Sequence, residues 1–187
     1  MTPELQPYPK SQQRIEFLAV VLNLLYTSLY LLEYREAFIP AFIGSSLFVW
    51  ICFKRNILAE SLLQIFYVFM AGYGWMHFAD NFVDTKLPIF YHIIFLVLAT
   101  GSWMISANLM QKRTSSAYPF VDTFTTIFSI LATWYMVNGD PFNWWYWVVI
   151  NAVAIWLYYK RKLYFGAAMF AIYFIMAIIG IFKEFIL

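Results

Sequence analysis

The stretch WICFKRNILAESLLQIFYVFMAGYGW (50–75) lies over WLYYKRKLYFGAAMFAIYFIMAIIGI (156–181) when the chain is slid along itself by 106 residues without gaps. Trp50 meets Trp156, Lys54-Arg55 meets Lys160-Arg161, and Tyr67, Met70, Ala71 and Gly74 meet Tyr173, Met176, Ala177 and Gly180. Upstream, Leu25 pairs with Leu131, Thr27 with Thr133, and Glu16 with Asp122, acid on acid. Apolar sequences share letters by chance. The cluster Trp-x-x-x-Lys-Arg followed by Tyr-x-x-Met-Ala-x-x-Gly adds charged and aromatic landmarks at one fixed offset, so an internal duplication is the better reading.

What is duplicated follows from composition. The 187-residue chain is 63% hydrophobic and only 12% charged, too little charge to cover a soluble globule of that apolarity. Seven apolar runs, at roughly 15–33, 37–53, 57–78, 87–107, 118–138, 143–159 and 163–182, approach the ~20 residues that cross a bilayer. Charged and turn-forming joints separate them: EYRE (33–36), KRN (54–56), ADNFVDTK (79–86), MQKRTSS (110–116), NGDP (138–141) and KRK (160–162). The class is an all-α transmembrane protein with seven helices and the lipid bilayer as its solvent. No nucleic-acid partner is expected.

Each copy of the repeat holds three spans, an odd number, so two copies joined directly would be inverted. Both Lys-Arg pairs should nevertheless face one side. One extra crossing restores the orientation, and the run 87–107 supplies it. The expected organisation is an N-terminal segment (1–14), a first three-helix repeat (15–78), a linker helix (87–107) and a second repeat (118–182), a 3+1+3 plan with parallel repeats. Two such bundles would hold a binding site between them near the membrane middle. Nine Lys and Arg fall on the N-terminal side (Lys10, Arg14, Lys54, Arg55, Lys112, Arg113, Lys160, Arg161, Lys162), against Arg35, Lys86 and Lys183 on the other. That imbalance predicts a cytoplasmic N-terminus and a C-terminus outside. The first fourteen residues are polar and Pro-rich, and the run after them lacks a cleavage signature, so no signal peptide is expected.

Function classes narrow at the same time. Cys52 is the only cysteine, and His77 and His92 are the only histidines. No disulfide, thiolate cage or histidine-built metal site is therefore expected, and no cofactor. Both histidines read as residues that pack or bond a neighbour. A membrane-embedded enzyme would need a nucleophile, base or metal cluster that this inventory does not supply. A structural or sensory subunit is disfavoured for want of a cytoplasmic extension.

Polar residues inside apolar runs mark function by default. Asp122 lies about one turn into the fifth run, with Thr125, Thr126 and Ser129 on its face. Glu16 and Asn23 occupy the first run, and Gln64 and Tyr67 the third. The sixth run opens FNWWYWVVIN (142–151): Trp144, Trp147 and Asn151 share a face, while Trp145 turns about 100° away. Trp145 and Tyr146 read as interfacial anchors, the usual place of amphipathic rings. Trp144 and Asn151 read as groups that turn inward to meet a flat, polar, heteroaromatic ligand. A cationic ring would gain from the indole face and from Asp122.

The segments AESLLQIFYVFMAGYGW (59–75) and YPFVDTFTTIFSILATWYMV…NWWYWVVINAV (118–137 and 143–153) resemble the PnuC family of bacterial vitamin transporters, and the likeness runs from RIEFLAVV (14–21) to the last helix. The resemblance implies a fold similar to that of the SWEET sugar transporters. It also implies inner-membrane uptake of nicotinamide riboside by facilitated diffusion with alternating access, or of thiamine in a sister subgroup. It further implies a cytoplasmic kinase that traps the vitamin. Mapped onto this chain, the family's binding positions are Gln64, Trp75, Asp122, Asn143, Trp144, Trp147 and Asn151. Glu16, Asn23, Tyr67, Thr126 and Ser129 stand as secondary candidates. The chain departs from its relatives at REAFIPAFIG (35–44), where Phe38 falls opposite Trp144 in the repeat. That departure leaves the vitamin itself open, as the sequence leaves ion coupling, transport rate and association into dimers or trimers.

Overall fold

The computed structural model describes residues 10–54, 58–77, 86–114, 116–160 and 164–185. The expected joint at 79–85, Arg55, Arg161-Lys162 and the side chain of Glu60 lie outside the described residues. The described residues form seven α-helices and contain no strand: α1 (Lys10–Leu31), α2 (Phe38–Lys54), α3 (Leu58–Met76), α4 (Ile89–Arg113), α5 (Pro119–Val137), α6 (Asn143–Lys160) and α7 (Tyr164–Phe185). Among the described residues, five helices are long and apolar enough to cross a membrane: α1, α2 with the turn before it, α4, α5 and α7. The other two, α3 and α6, carry Ser61 and Gln64, and Asn143 and Asn151, inside their apolar runs.

The chain divides into two compact units, residues 1–75 and 76–187. In the first, α1 packs along α2. Ala19 is fully buried there, and a Cβ on Gly44 would stand 3.0 Å from Asn23 Nδ2 and 3.2 Å from the Ala19 carbonyl. Small residues at this crossing let the backbones approach, which is how helices gain dispersion energy in lipid, where tails are as apolar as side chains. In the second unit α4 packs on α5, α5 on α6, and α6 on α7. Ala99, Phe128, Leu131, Ala132, Tyr135 and Ile150 form its core, with Trp103, Phe124, Tyr146 and Trp147 packed around them.

The 106-residue offset reappears in the backbone. Helix α1 ends with Glu33 at φ 60° and α5 with Gly139 at φ 70°, the left-handed residues of two equivalent turns. In the first turn the Tyr34 N–H donates to the Leu29 carbonyl (3.0 Å) and the Glu33 N–H to Tyr30 (2.9 Å). In the second, the Asp140 N–H donates to Tyr135 (3.0 Å) and the Gly139 N–H to Met136 (3.2 Å). Each is a Schellman ending, in which two orphan carbonyls of the last helical turn find donors. The Ala37 N–H bonds the Tyr34 carbonyl and the Asn143 N–H bonds the Asp140 carbonyl, both at 3.1 Å.

The two turns deliver equivalent rings to equivalent glycines. A Cβ on Gly74 would fall well inside the van der Waals radius of the Phe38 ring, and one on Gly180 inside that of Trp144. Phe38 is 106 residues from Trp144, and Gly74 is 106 from Gly180. Gly74→Ala and Gly180→Ala should therefore each destabilise the protein by about 1–3 kcal/mol through overpacking. Gly101 has no atom within 4 Å of an added Cβ, so Gly101→Ala should be neutral or mildly stabilising. Thermal unfolding in detergent, followed by loss of the monodisperse chromatographic peak, checks all three.

Candidate functional site

Asn143, Trp144, Trp147 and Asn151 gather on α6 as its periodicity requires, within an arc of about 100°. Asn143, Trp144 and Asn151 are buried and Trp147 is partly buried, while Trp145 is half exposed, as expected of a ring turned off that face. Tyr146 departs from its expected role as an anchor. Its ring packs inward, 5.2 Å from Tyr135. A position 40° from Phe142 and 100° from Trp147 places it toward α5, a neighbour the sequence alone does not supply.

The polar valences of this face are unequally used. The Asn143 Nδ2–H donates to the Asp140 carbonyl at 2.6 Å, which fixes the amide orientation because a carbonyl can only accept. Asn143 Oδ1 is then buried with no protein donor, and one turn further along, Trp147 Nε1–H is buried with no protein acceptor. The Cβ atoms of residues four apart stand ~5–6 Å from each other on a helix. Asn143 and Trp147 thus carry one unused acceptor and one unused donor a turn apart on the helix that bears Trp144.

Asp122 falls elsewhere in the same unit. Asp122 sits in the first turn of α5, and Trp144 in the first turn of α6, which runs back along it. Tyr118 meets Trp156 at one end of this pair (5.5 Å) and Tyr135 meets Tyr146 at the other. At 1.5 Å per residue, Asp122 and Trp144 are separated by about 20 Å along the bundle. The structure does not bring them together. Asp122 Oδ2 instead accepts a 2.6 Å bond from the Ser116 hydroxyl, whose oxygen also accepts the Tyr118 N–H. A carboxylate in a first helical turn is favoured by the exposed N–H groups there.

Several secondary candidates spend their polar atoms on their own helices. The Thr126 hydroxyl donates to the Asp122 carbonyl and Asn23 Nδ2–H to the Ala19 carbonyl, while Ser129 is buried on α5. Glu16 and Tyr67 are partly buried, and Gln64 is buried on α3 beside the fully buried Ser61. Trp75, in the last turn of α3, is covered by the chain's own cation. The Arg35 guanidinium lies 4.4 Å from its ring centroid, and Arg35 Nε–H donates to the Trp75 carbonyl at 3.1 Å. No cluster of three or more metal-ligating side chains occurs among the described residues.

A family model described as nicotinamide mononucleotide transporter matches residues 13–183. The chain belongs to this family. It is similar to the nicotinamide riboside transporter PnuC of Escherichia coli K12, 25% identical over 181 residues, with 80% of this chain and 76% of the relative covered. The protein of the same name from Shigella flexneri matches to the same extent. Among solved structures, the crystal structure of the vitamin B3 transporter PnuC shares the fold, with a TM-score of 0.70 over 90% of this chain and 80% of that one, at 17% identity. The chain is thus a multi-pass membrane protein of a transporter family, not an enzyme.

Sequence reasoning missed Arg35 as a partner of Trp75, although an Arg forty residues upstream of a Trp carries no local signal. The stack makes a specific expectation. Arg35→Gln should expose the Trp75 indole and raise iodide quenching of Trp emission, and the increase should vanish in Arg35→Gln/Trp75→Phe. Equal quenching in wild type and Arg35→Gln would show that the guanidinium does not shield the ring.

Proposed function

We propose that this chain carries nicotinamide riboside across the bacterial inner membrane by facilitated diffusion. The carrying observation is the unspent pair on α6, the acceptor Asn143 Oδ1 and the donor Trp147 Nε1–H. A primary carboxamide on a flat ring offers the converse, an N–H donor and a carbonyl acceptor on one carbon. The ring would stack near the Trp144 indole, whose quadrupole favours the positive charge of a nicotinamide riboside pyridinium. The names of the relatives support the same substrate class. Asn151, two turns on from Asn143, would meet a ribose hydroxyl.

Transport in this reading alternates the site between the two sides of the membrane, with residues 15–78 and 118–182 as parallel repeats and 87–107 as the linker. The recurrence of the Schellman turn and of the ring-on-glycine contact at one offset supports it. The Lys and Arg imbalance supports a cytoplasmic N-terminus, and a cytoplasmic kinase would keep the gradient inward. Gln64, Trp75 and Asp122 remain proposed binding positions of the family; Trp75 would serve only once Arg35 has left its ring.

Uptake into proteoliposomes of nicotinamide riboside and thiamine, side by side and with or without an imposed ion gradient, tests this. Saturable nicotinamide riboside uptake that ignores the gradient is expected. Thiamine uptake alone, or strict dependence on the gradient, would sink it. Asn143→Leu and Trp147→Phe should each raise KM roughly tenfold, the worth of about 1.4 kcal/mol for one buried hydrogen bond left unmade.

A further inference from the structure

Asp140 is fully buried, in the charged, turn-forming joint NGDP (138–141). Its carboxylate is enclosed by three groups. Oδ1 accepts the Phe142 N–H at 2.9 Å, and Oδ2 accepts the Leu87 N–H at 3.1 Å. His92 Nε2 stands 3.2 Å from Oδ2, near enough to pair but off the line of a straight hydrogen bond. The other ring nitrogen, Nδ1, is 3.3 Å from the Tyr146 hydroxyl. The imidazole is stacked on Tyr135 at 4.6 Å and tilted against Phe142 at 5.1 Å. Two of these groups, Leu87 and His92, come from the start of the linker helix, about fifty residues before Asp140.

Asp140 also supplies the carbonyl that receives both the N–H and the side-chain Nδ2–H of Asn143. Because a carbonyl takes the nitrogen end of the amide, this contact leaves Oδ1 as the free end of the Asn143 side chain. The equivalent turn of the first repeat has the same backbone but none of this chemistry: Tyr34, Ala37 and Pro40 stand where Asp140, Asn143 and Tyr146 stand in the second. The turn geometry therefore does not itself require the acid, and a polar group that is costly to bury calls for another account.

We propose that Asp140, clamped by His92 and the Leu87 amide, is a positioning residue that aims the Asn143 amide, so that the outer end of the linker helix sets the geometry of substrate recognition. The proposal rests on the reading of Asn143 as a substrate-contacting group. The imidazole thus bridges the two elements, Nε2 facing Asp140 Oδ2 and Nδ1 facing the Tyr146 hydroxyl. The linker helix is in this way part of the recognition apparatus as well as the crossing that restores orientation.

The test compares wild type, His92→Phe and His92→Gln as full-length protein. Phenylalanine keeps the stack on Tyr135 and Phe142 but removes both ring nitrogens, whereas glutamine restores a donor. In proteoliposomes, His92→Phe should raise the KM for nicotinamide riboside at least fivefold with the maximal rate within twofold, and His92→Gln should recover most of the loss. In protein without substrate, amide hydrogen exchange of residues 138–147 should quicken in His92→Phe, with α7 unchanged. A wild-type KM in His92→Phe overturns the proposal, as does unaltered exchange. If wild type moves no nicotinamide riboside, the substrate reading falls and the exchange comparison still decides the clamp. If His92→Phe does not fold, Asp140→Asn decides. Its amide cannot accept both the Leu87 and the Phe142 N–H groups as the carboxylate does, so an unchanged KM there overturns the proposal.

Discussion

A ring pressed onto a glycine holds each half of this protein to its pattern. Between helices in lipid no hydrophobic gain is available, because the tails are as apolar as any side chain, and association depends on close contact and hydrogen bonds. Glycine removes the one atom that would keep an aromatic face away from the neighbouring backbone. Phe38 on Gly74 and Trp144 on Gly180 use that freedom in the same register. The ring is placed by the turn before it, which ends the preceding helix with a left-handed residue and redirects the chain within a few positions. Gly139 adopts that conformation without strain, whereas Glu33 bears it against the preference of an L side chain.

Polarity alone is a poor guide to which residues act in such a bundle. Threonine and asparagine in apolar helices commonly donate to the carbonyl four residues back, and the cost of burying them is then met locally. Thr27, Thr126, Thr133 and Asn23 all do so here. Trp147, an aromatic residue, and Asn143, half satisfied by Asp140, keep buried polar atoms that the protein itself does not use. What separates the two groups is how many hydrogen-bonding valences remain after the helix has taken its share.

The architecture was largely legible in the sequence, since apolar runs of about 20 residues and the charged joints between them give helices nearly directly. Six of the seven described helices stop within three residues of the expected runs. The exception is α4, expected to stop at 107, which continues to Arg113 because polar residues can extend a helix beyond the hydrocarbon. The face of Trp144, Trp147 and Asn151 was legible as well, being pure periodicity. Asp122 near Trp144 was not a sound expectation: each lies one turn into its own helix, and consecutive helices run in opposite directions. The role of Tyr146 and of the buried Asp140 could not be read, because NGDP is an ordinary turn sequence and the groups that enclose Asp140 are distant in the chain.

The two units show how a duplicated backbone comes to hold unequal chemistry. In the first, Trp75 is stacked by Arg35, so an aromatic face able to attract a cation is already occupied by one from the same chain. At the ring-on-glycine position that unit has Phe38, which offers no hydrogen-bonding atom, preceded by Ala37. In the second, Trp144 follows Asn143, and the amide is oriented by a carbonyl belonging to a buried acid. Equivalent turns thus tolerate both an apolar and a polar filling. A duplication can therefore conserve a backbone while its two copies diverge in polarity, since the turn and the glycine contact specify the backbone and leave the neighbouring side chains free to specialise.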